Sequence, residues 1–189
     1  MMAKPMVMLL LKDGTQDLHN EIEKHMPVFR PDFNSQQYAE VLQKMHRFYE
    51  GFEKKLETAL STHGLSDMYK DRFKTPRIES DLKSLGTPTK SQPAPSHLPV
   101  LDSVPAIAGA LYVIEGSSLG GQIITKHLKE KLNMTPEQTQ FFGGYGELTG
   151  KRWQEFQKWM GELDMNEQNA KLAVSSARET FSSLMECLK

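Results

Sequence analysis

The sequence predicts an all-helical protein folded as a single domain over residues 1–189, and three observations lead there. Apolar residues recur three and four positions apart along most of the chain, the period of an amphipathic helix. No run of β-branched residues alternates at period two, so no segment reads as a half-buried strand. Residues that start helices (Asn34, Ser103, Thr135) stand where the periodic runs begin, with prolines just inside or between them.

In chain order, Leu11, Thr15, Leu18 and Ile22 form the stripe of a first helix, which Pro27 and Pro31 separate from the next. Asn34 with Gln37 three residues later predicts the start of a long second helix. Its stripe is Tyr38, Leu42, Met45, Tyr49, Phe52, Leu56 and Leu60. Between residues 64 and 103 the pattern weakens. "RFKTPRIESDLKSLG" offers one short helix, and "TPTKSQPAPSHLP", with four prolines, reads as an ordered loop or connector. Ser103 and Pro105 then open a helix carrying "YVIEGSSLGGQIITKHL". Thr135 to Gln138 is a capping box with proline at the first helical position. "FFGGYGELTG" is rich in turn residues, Lys151 to Met160 begins another helix, and "LDMNEQ" precedes the last. That last helix carries Ala170, Val174, Ala177, Phe181, Leu184 and Leu188. The total is about six or seven helices packed as a bundle.

Composition narrows the function. The 23 basic and 24 acidic residues nearly cancel, leaving no global field to attract nucleic acid or an anionic membrane. The single cysteine, Cys187, permits no internal disulfide and points to a reducing compartment. "MVMLLL" is too short for a signal-peptide core and cannot span a bilayer, so a cytoplasmic protein without membrane insertion is expected.

Several site chemistries are excluded by spacing. None of the six histidines has a glutamate three positions before it, as a di-iron carboxylate bundle requires. Zinc spacings and phosphate-binding glycine loops are absent. A lone histidine could ligate a haem iron, with a carboxylate at i+4 as acceptor for its second ring nitrogen. His19 with Glu23 has that form, but so do His46 with Glu50 and His63 with Asp67, and a solvated ion pair accounts for any of them. Gly116, Gly120 and Gly121 each cost a helix interior about 1 kcal/mol relative to alanine. Either another helix approaches closely there, or a flat ligand lies against bare backbone, with a kink expected in both cases.

Taken together, these segments resemble the haem oxygenase family, in particular the bacterial biliverdin-producing branch associated with bacteriophytochromes. "LLLKDGTQDLHNEIE" is similar to the family's first helix, in which a Leu-Lys-x-x-Thr-x-x-x-His pattern delivers the iron ligand. The pattern's Leu, Lys, Thr and His fall on Leu11, Lys12, Thr15 and His19, and Glu23 is the acceptor for the second ring nitrogen. "EGSSLGGQ" is similar to the family's kinked distal helix, placing Gly116, Ser117, Gly120 and Gly121 over the haem face. "TPRIESDLKSLG" and "YGELTGKRWQEF" extend the similarity in the right order across nearly the whole chain.

The resemblance implies a haem-oxygenase-like fold in which haem is both cofactor and substrate. With O2 and electrons from an external donor, an unidentified reductase or ferredoxin, the ring is opened to biliverdin, CO and ferrous iron. A bacteriophytochrome would be a recipient of the product. Two departures stand out. Many members carry an aspartate after the first distal glycine, where this chain has Ser117, so that Arg77 or Ser118 would have to order the distal water. A second basic residue of the first helix is replaced by Gln16, which leaves Lys12, Lys126 and Arg152 as the expected propionate partners. The departure at Ser117 also keeps open a carrier that binds haem or a bilin without opening it. A bundle whose glycines only pack helices, with a thiamin-degrading type of fold and another ligand, is the third reading.

Overall fold

A computed structural model describes residues 5–189, and among these no strand occurs. The helices are α1 (Met6–His25), α2 (Ser35–Thr62), α3 (Ser66–Tyr69), α4 (Thr75–Ser84), α5 (Val104–Leu132), α6 (Gln140–Gly143), α7 (Thr149–Glu162) and α8 (Glu167–Leu188). The six longer ones follow the apolar stripes of the sequence. The single-turn helices α3 and α6 are too short to display a period.

The caps form as the residues dictate. Asn34 and Gln37 make both bonds of a capping box at the start of α2, and Ser103 accepts from the backbone N–H of Ala106 with Pro105 inside the first turn of α5. The box at Thr135 and Gln138 also closes, but it opens only a 3-10 turn over Pro136–Gln138. There the expected helix is cut short, because the backbone leaves helical geometry at Thr139 and Gly144 then takes a positive φ. At the other end of α5, Asn133 adopts the left-handed conformation that ends the helix. The three glycines do not interrupt α5, which is helical from Val104 to Leu132.

The core is organised by α8, against which both α5 and α1 pack far more extensively than against each other. Glycines make this possible. A Cβ on Gly109 of α5 would collide with the carbonyl of Ala173, and one on Gly14 of α1 would lie 2.7 Å from a methyl of Val174. Adjacent residues of α8 therefore hold α1 and α5 at one crossing point. Along α1, the Arg178 guanidinium donates to both carboxylate oxygens of Asp17, at 2.7 and 2.9 Å, and Phe181 reaches under His19. On the other side of α5, α2 supplies the large buried aromatics Tyr38, Phe48, Tyr49 and Phe52. The most apolar stretch of α5 is long enough to cross a membrane, but its residues are the ones that pack against the rest of the bundle.

Candidate functional site

Two contacts bracket a groove between α1 and α5. At one end the Tyr112 phenol lies against the Thr15 hydroxyl, which itself donates to the Leu11 carbonyl at 2.7 Å. At the other end the turn after α1 touches α5, and the Phe29 ring meets His127 edge-on with centroids 4.9 Å apart. Thr15 pairs with Tyr112 and Phe29 with His127, so α1 and α5 run in the same direction. The span from Tyr112 to His127 is about 22 Å at the helical rise. His19 stands four residues past Thr15, and Gly116 four residues past Tyr112. Each step is about 6 Å, which puts the imidazole level with the first open glycine.

The wall contributed by α5 is a stripe. At 3.6 residues per turn Tyr112, Gly116, Leu119, Gly120, Ile123 and His127 fall within about 100° of one another. Its middle is open. Nothing lies within 4 Å of where a Gly120 Cβ would stand, Leu119 is 41% exposed and Ile123 65% exposed. Gly116 is flanked at 3.7 Å by the Trp153 ring of α7, which also neighbours Tyr112. Exposed isoleucine and leucine on both sides of a bare turn of backbone form an apolar surface suited to a flat ligand.

On the facing wall, the His19 side chain is 53% exposed, its ring edge braced by Phe181 at 6.1 Å. The Glu23 carboxylate lies 3.6 Å from its Nδ1, leaving Nε2 as the outward nitrogen. Gln16, one turn away, donates to Asn20, and Lys12 is exposed. His46, which shares the spacing of His19 with its carboxylate, is instead buried between α2 and α4, with Nε2 3.1 Å from Glu79.

Gly121 does not belong to this surface. The sequence groups it with Gly116 and Gly120, but it points to the opposite side of α5, where a Cβ would run into the carbonyl of Phe142. Its side chain is missing because α6 packs there. Ser118 also faces inward, donating to the Glu115 carbonyl at 2.6 Å, and Arg77 donates to the carbonyl of Gly144, so neither expected water-ordering group opens on the groove. Ser117 sits on the flank of the stripe, exposed, its hydroxyl donating to Ile114 O at 2.8 Å beside the Tyr49 hydroxyl. Burial holds the Tyr49 phenol above its ordinary pKa, and therefore protonated. Lys126 is 77% exposed and lies 3.8 Å from Glu130 on the same helix. Arg152 pairs with Glu155 at 3.5 Å and lies over the Tyr145 ring.

Sequence reading missed a buried polar cluster beneath the open stretch. Glu115, 1% exposed, receives Arg72 Nη1 at 2.5 Å and the Tyr145 hydroxyl at 2.8 Å, while Lys74 Nζ donates to that hydroxyl at 2.7 Å. Glu53 of α2 caps α4 by accepting the backbone N–H groups of Lys74 and Thr75. The signal was present, since Glu115 ends the otherwise uncharged run "VPAIAGALYVIE" and a charge there requires partners. The cluster ties α5, the segment before α4 and the loop after α6 to one another directly below Gly116. Two pockets, of about 370 and 590 Å³, lie elsewhere, against the start of α2 and between the C-terminal ends of α1 and α8. Neither lines the groove.

Comparison with known proteins gives the family of the chain. A family model described as "Heme oxygenase" matches residues 7–189. The chain belongs to the haem oxygenase family. It is 30% identical over 154 residues, 80% of its length, to a haem oxygenase of Xanthomonas campestris, covering 88% of that protein. Among solved structures it is similar to the NO- and CO-bound haem oxygenase of Neisseria meningitidis (TM-score 0.76, 21% identity, 96% of this chain and 89% of that one). It is also similar to the haem oxygenase of Leptospira interrogans (TM-score 0.75, 18% identity, 96% and 98%). A third is haem oxygenase-1 of Synechocystis in complex with haem (TM-score 0.74, 17% identity, 96% and 90%). These likenesses establish the haem oxygenase fold over nearly the whole chain.

Proposed function

We propose that this haem oxygenase binds haem in the groove between α1 and α5 and opens it to biliverdin, CO and ferrous iron. One observation carries the placement: the exposed imidazole of His19 stands level with the stretch of α5 from Gly116 to Gly120, between the two contacts that bracket the groove. Haem is the substrate, and its iron supplies the site of O2 chemistry when bound.

The chain's own groups then have distinct tasks. His19 supplies neutral Nε2 to the iron, its tautomer set by Glu23 on Nδ1 and its ring direction by Phe181. Gly116 and Gly120 admit the macrocycle against backbone, and Leu119 and Ile123 cover its apolar face. Ser117, with the Tyr49 hydroxyl behind it, offers the polar position from which a proton reaches the distal side. Of the basic residues, Lys12 is the propionate partner this geometry favours, lying two turns before His19 on the same face of α1, whereas Lys126 and Arg152 each have a neighbouring carboxylate. Electrons come from an external reductase or ferredoxin in a reducing, cytoplasmic setting, and a bacteriophytochrome is a fitting recipient of the product.

The test is direct. Purified protein mixed with hemin gives a shifted Soret band, and a reductant in air then converts it to a biliverdin absorption. Binding without ring opening would leave a carrier, and no binding would remove haem from this groove.

A further inference from the structure

Beside the groove stands a row of aromatic rings that ring opening does not use. The chain has two tryptophans, and both lie on α7, six residues or about 9 Å apart along the helix. Trp153 borders the groove at the level of His19. Its ring lies 3.7 Å from the bare position at Gly116, and its centroid is 6.1 Å from that of Tyr112. The buried Phe156 ring stacks on it at 5.5 Å with the planes 23° apart, and Trp159 follows at 5.7 Å. Gly161, just past Trp159, meets Pro5, so the row ends beside the start of α1. His19 stands about 20 Å along α1 from that point. Both indoles are half-buried, so solvent reaches each end of the row.

We infer that this row conducts oxidising equivalents away from bound haem and gives the protein a peroxide-reducing activity besides ring opening. The inference rests on the reading of the groove as the haem site. Hydrogen peroxide reduced to two waters takes up two electrons and two protons. Without a docked reductase those electrons come from the protein. An indole is far easier to oxidise than a phenyl ring, so Trp153 is the donor at the groove, Phe156 a bridge and Trp159 the terminus. Each indole oxidised gives up one electron and then its N1 proton. A one-electron donor in solution returns the electron at Trp159 and water returns the proton, so two donor molecules are consumed per peroxide. The rival donor is Tyr49, but a phenol must release its proton as the electron leaves, and no base stands ready. Its neighbour is the Ser117 hydroxyl, and the nearby Glu53 carboxylate is taken up by the backbone N–H groups of Lys74 and Thr75.

The experiment is peroxide oxidation without a reductase. Wild-type protein, Trp153→Phe and Trp159→Phe are loaded with hemin and mixed with an equal amount of hydrogen peroxide. Radicals are read by freeze-quench electron paramagnetic resonance, and added oxygen is located by peptide mass spectrometry. In the wild type an indole radical forms and oxygen is added at Trp159. In Trp153→Phe the yield at Trp159 falls about tenfold, while in Trp159→Phe oxidation stops at Trp153. With ferrocyanide and peroxide in excess, Trp159→Phe oxidises ferrocyanide about tenfold more slowly than wild type, yet opens haem normally with a reductant in air. A merely packing role would lower the melting temperature of the variants and leave these yields alone. Unchanged oxidation of Trp159 in Trp153→Phe, or a wild-type radical confined to Tyr49 or Tyr112, overturns the row and leaves the haem site standing. If the wild type binds no hemin, both readings fall.

Discussion

Two kinds of position on the same helix show how differently a glycine can be used. At Gly109 and Gly121 of α5 the side chain is missing because other backbone occupies the space: the Ala173 carbonyl of α8 in one case, the Phe142 carbonyl of α6 in the other. Gly120 lacks one with nothing within 4 Å. Packing explains the first two fully and the third not at all. A helix interior gives up about 1 kcal/mol at each glycine, and at Gly120 no contact in the folded chain compensates. The open space at Gly120 is where the proposed macrocycle would lie.

The packed positions will be the more sensitive to substitution. The largest effect is expected from Arg72→Met, which takes from the buried Glu115 carboxylate its closest cation. Stability measured by chemical denaturation should fall by about 3–5 kcal/mol, the usual consequence of removing one partner of a buried pair. Gly109→Ala comes next, because a methyl group cannot occupy the position of a backbone carbonyl. α5 and α8 must separate, with a loss of about 3 kcal/mol read from the same curves. If Gly109→Ala is neutral, the helices are not as close as described and the comparison of packed with open glycines collapses.

Gly120→Ala should act in the opposite direction, raising stability by about 0.5–1 kcal/mol as the helix regains a better former. Gly120→Leu should keep the fold and lose turnover, since the larger side chain enters the space assigned to the macrocycle. Full activity in that variant would show the groove is not the substrate site.

A further effect concerns pH. Burial, its largest cause, lowers the Lys74 ammonium to about 8 from an ordinary 10.5. Between these values the unfolded chain holds the extra proton, so stability rises with pH from 8 toward 10, by about 1–2 kcal/mol. Above pH 10 the buried Tyr69 and Tyr145 phenols, held protonated chiefly by burial, reverse the trend, because the unfolded chain ionises them and the folded one does not. Denaturation curves for Lys74→Met should lack the rise between pH 8 and 10. A rise that persists in Lys74→Met would assign it to other groups.

Much of this architecture was legible in the sequence because it follows from period and caps. The stripes of α1, α2 and α8 and the entry to α5 at Ser103 and Pro105 depend on neighbours three and four residues away, which a linear reading sees. What it could not see are contacts fixed by the third dimension. Gly120 and Gly121 are adjacent in sequence, yet a rotation of 100° sends one to the groove and the other to α6. Gly109, in "AIAGALY", looks like any small residue until α8 crosses it. The cluster of Glu115, Arg72, Lys74 and Tyr145 joins residues 30 to 43 positions from the glutamate. Of the candidate residues, His19, Glu23, Gly116 and Gly120 assemble around one groove, while Gly121 turns to α6 and Thr15 serves to close the groove's end.

The account depends most on an imidazole of α1 facing bare backbone of α5 across a bound porphyrin. Hemin titration of His19→Ala, followed by optical spectroscopy of the ferric complex, tests it most directly. The half-exposed side chain makes no contact the fold requires, so the variant should melt close to wild type, bind hemin with an altered ferric spectrum and fail to open the ring. A His19→Ala complex with the wild-type ferric spectrum would contradict the assignment and move the iron ligand to another residue.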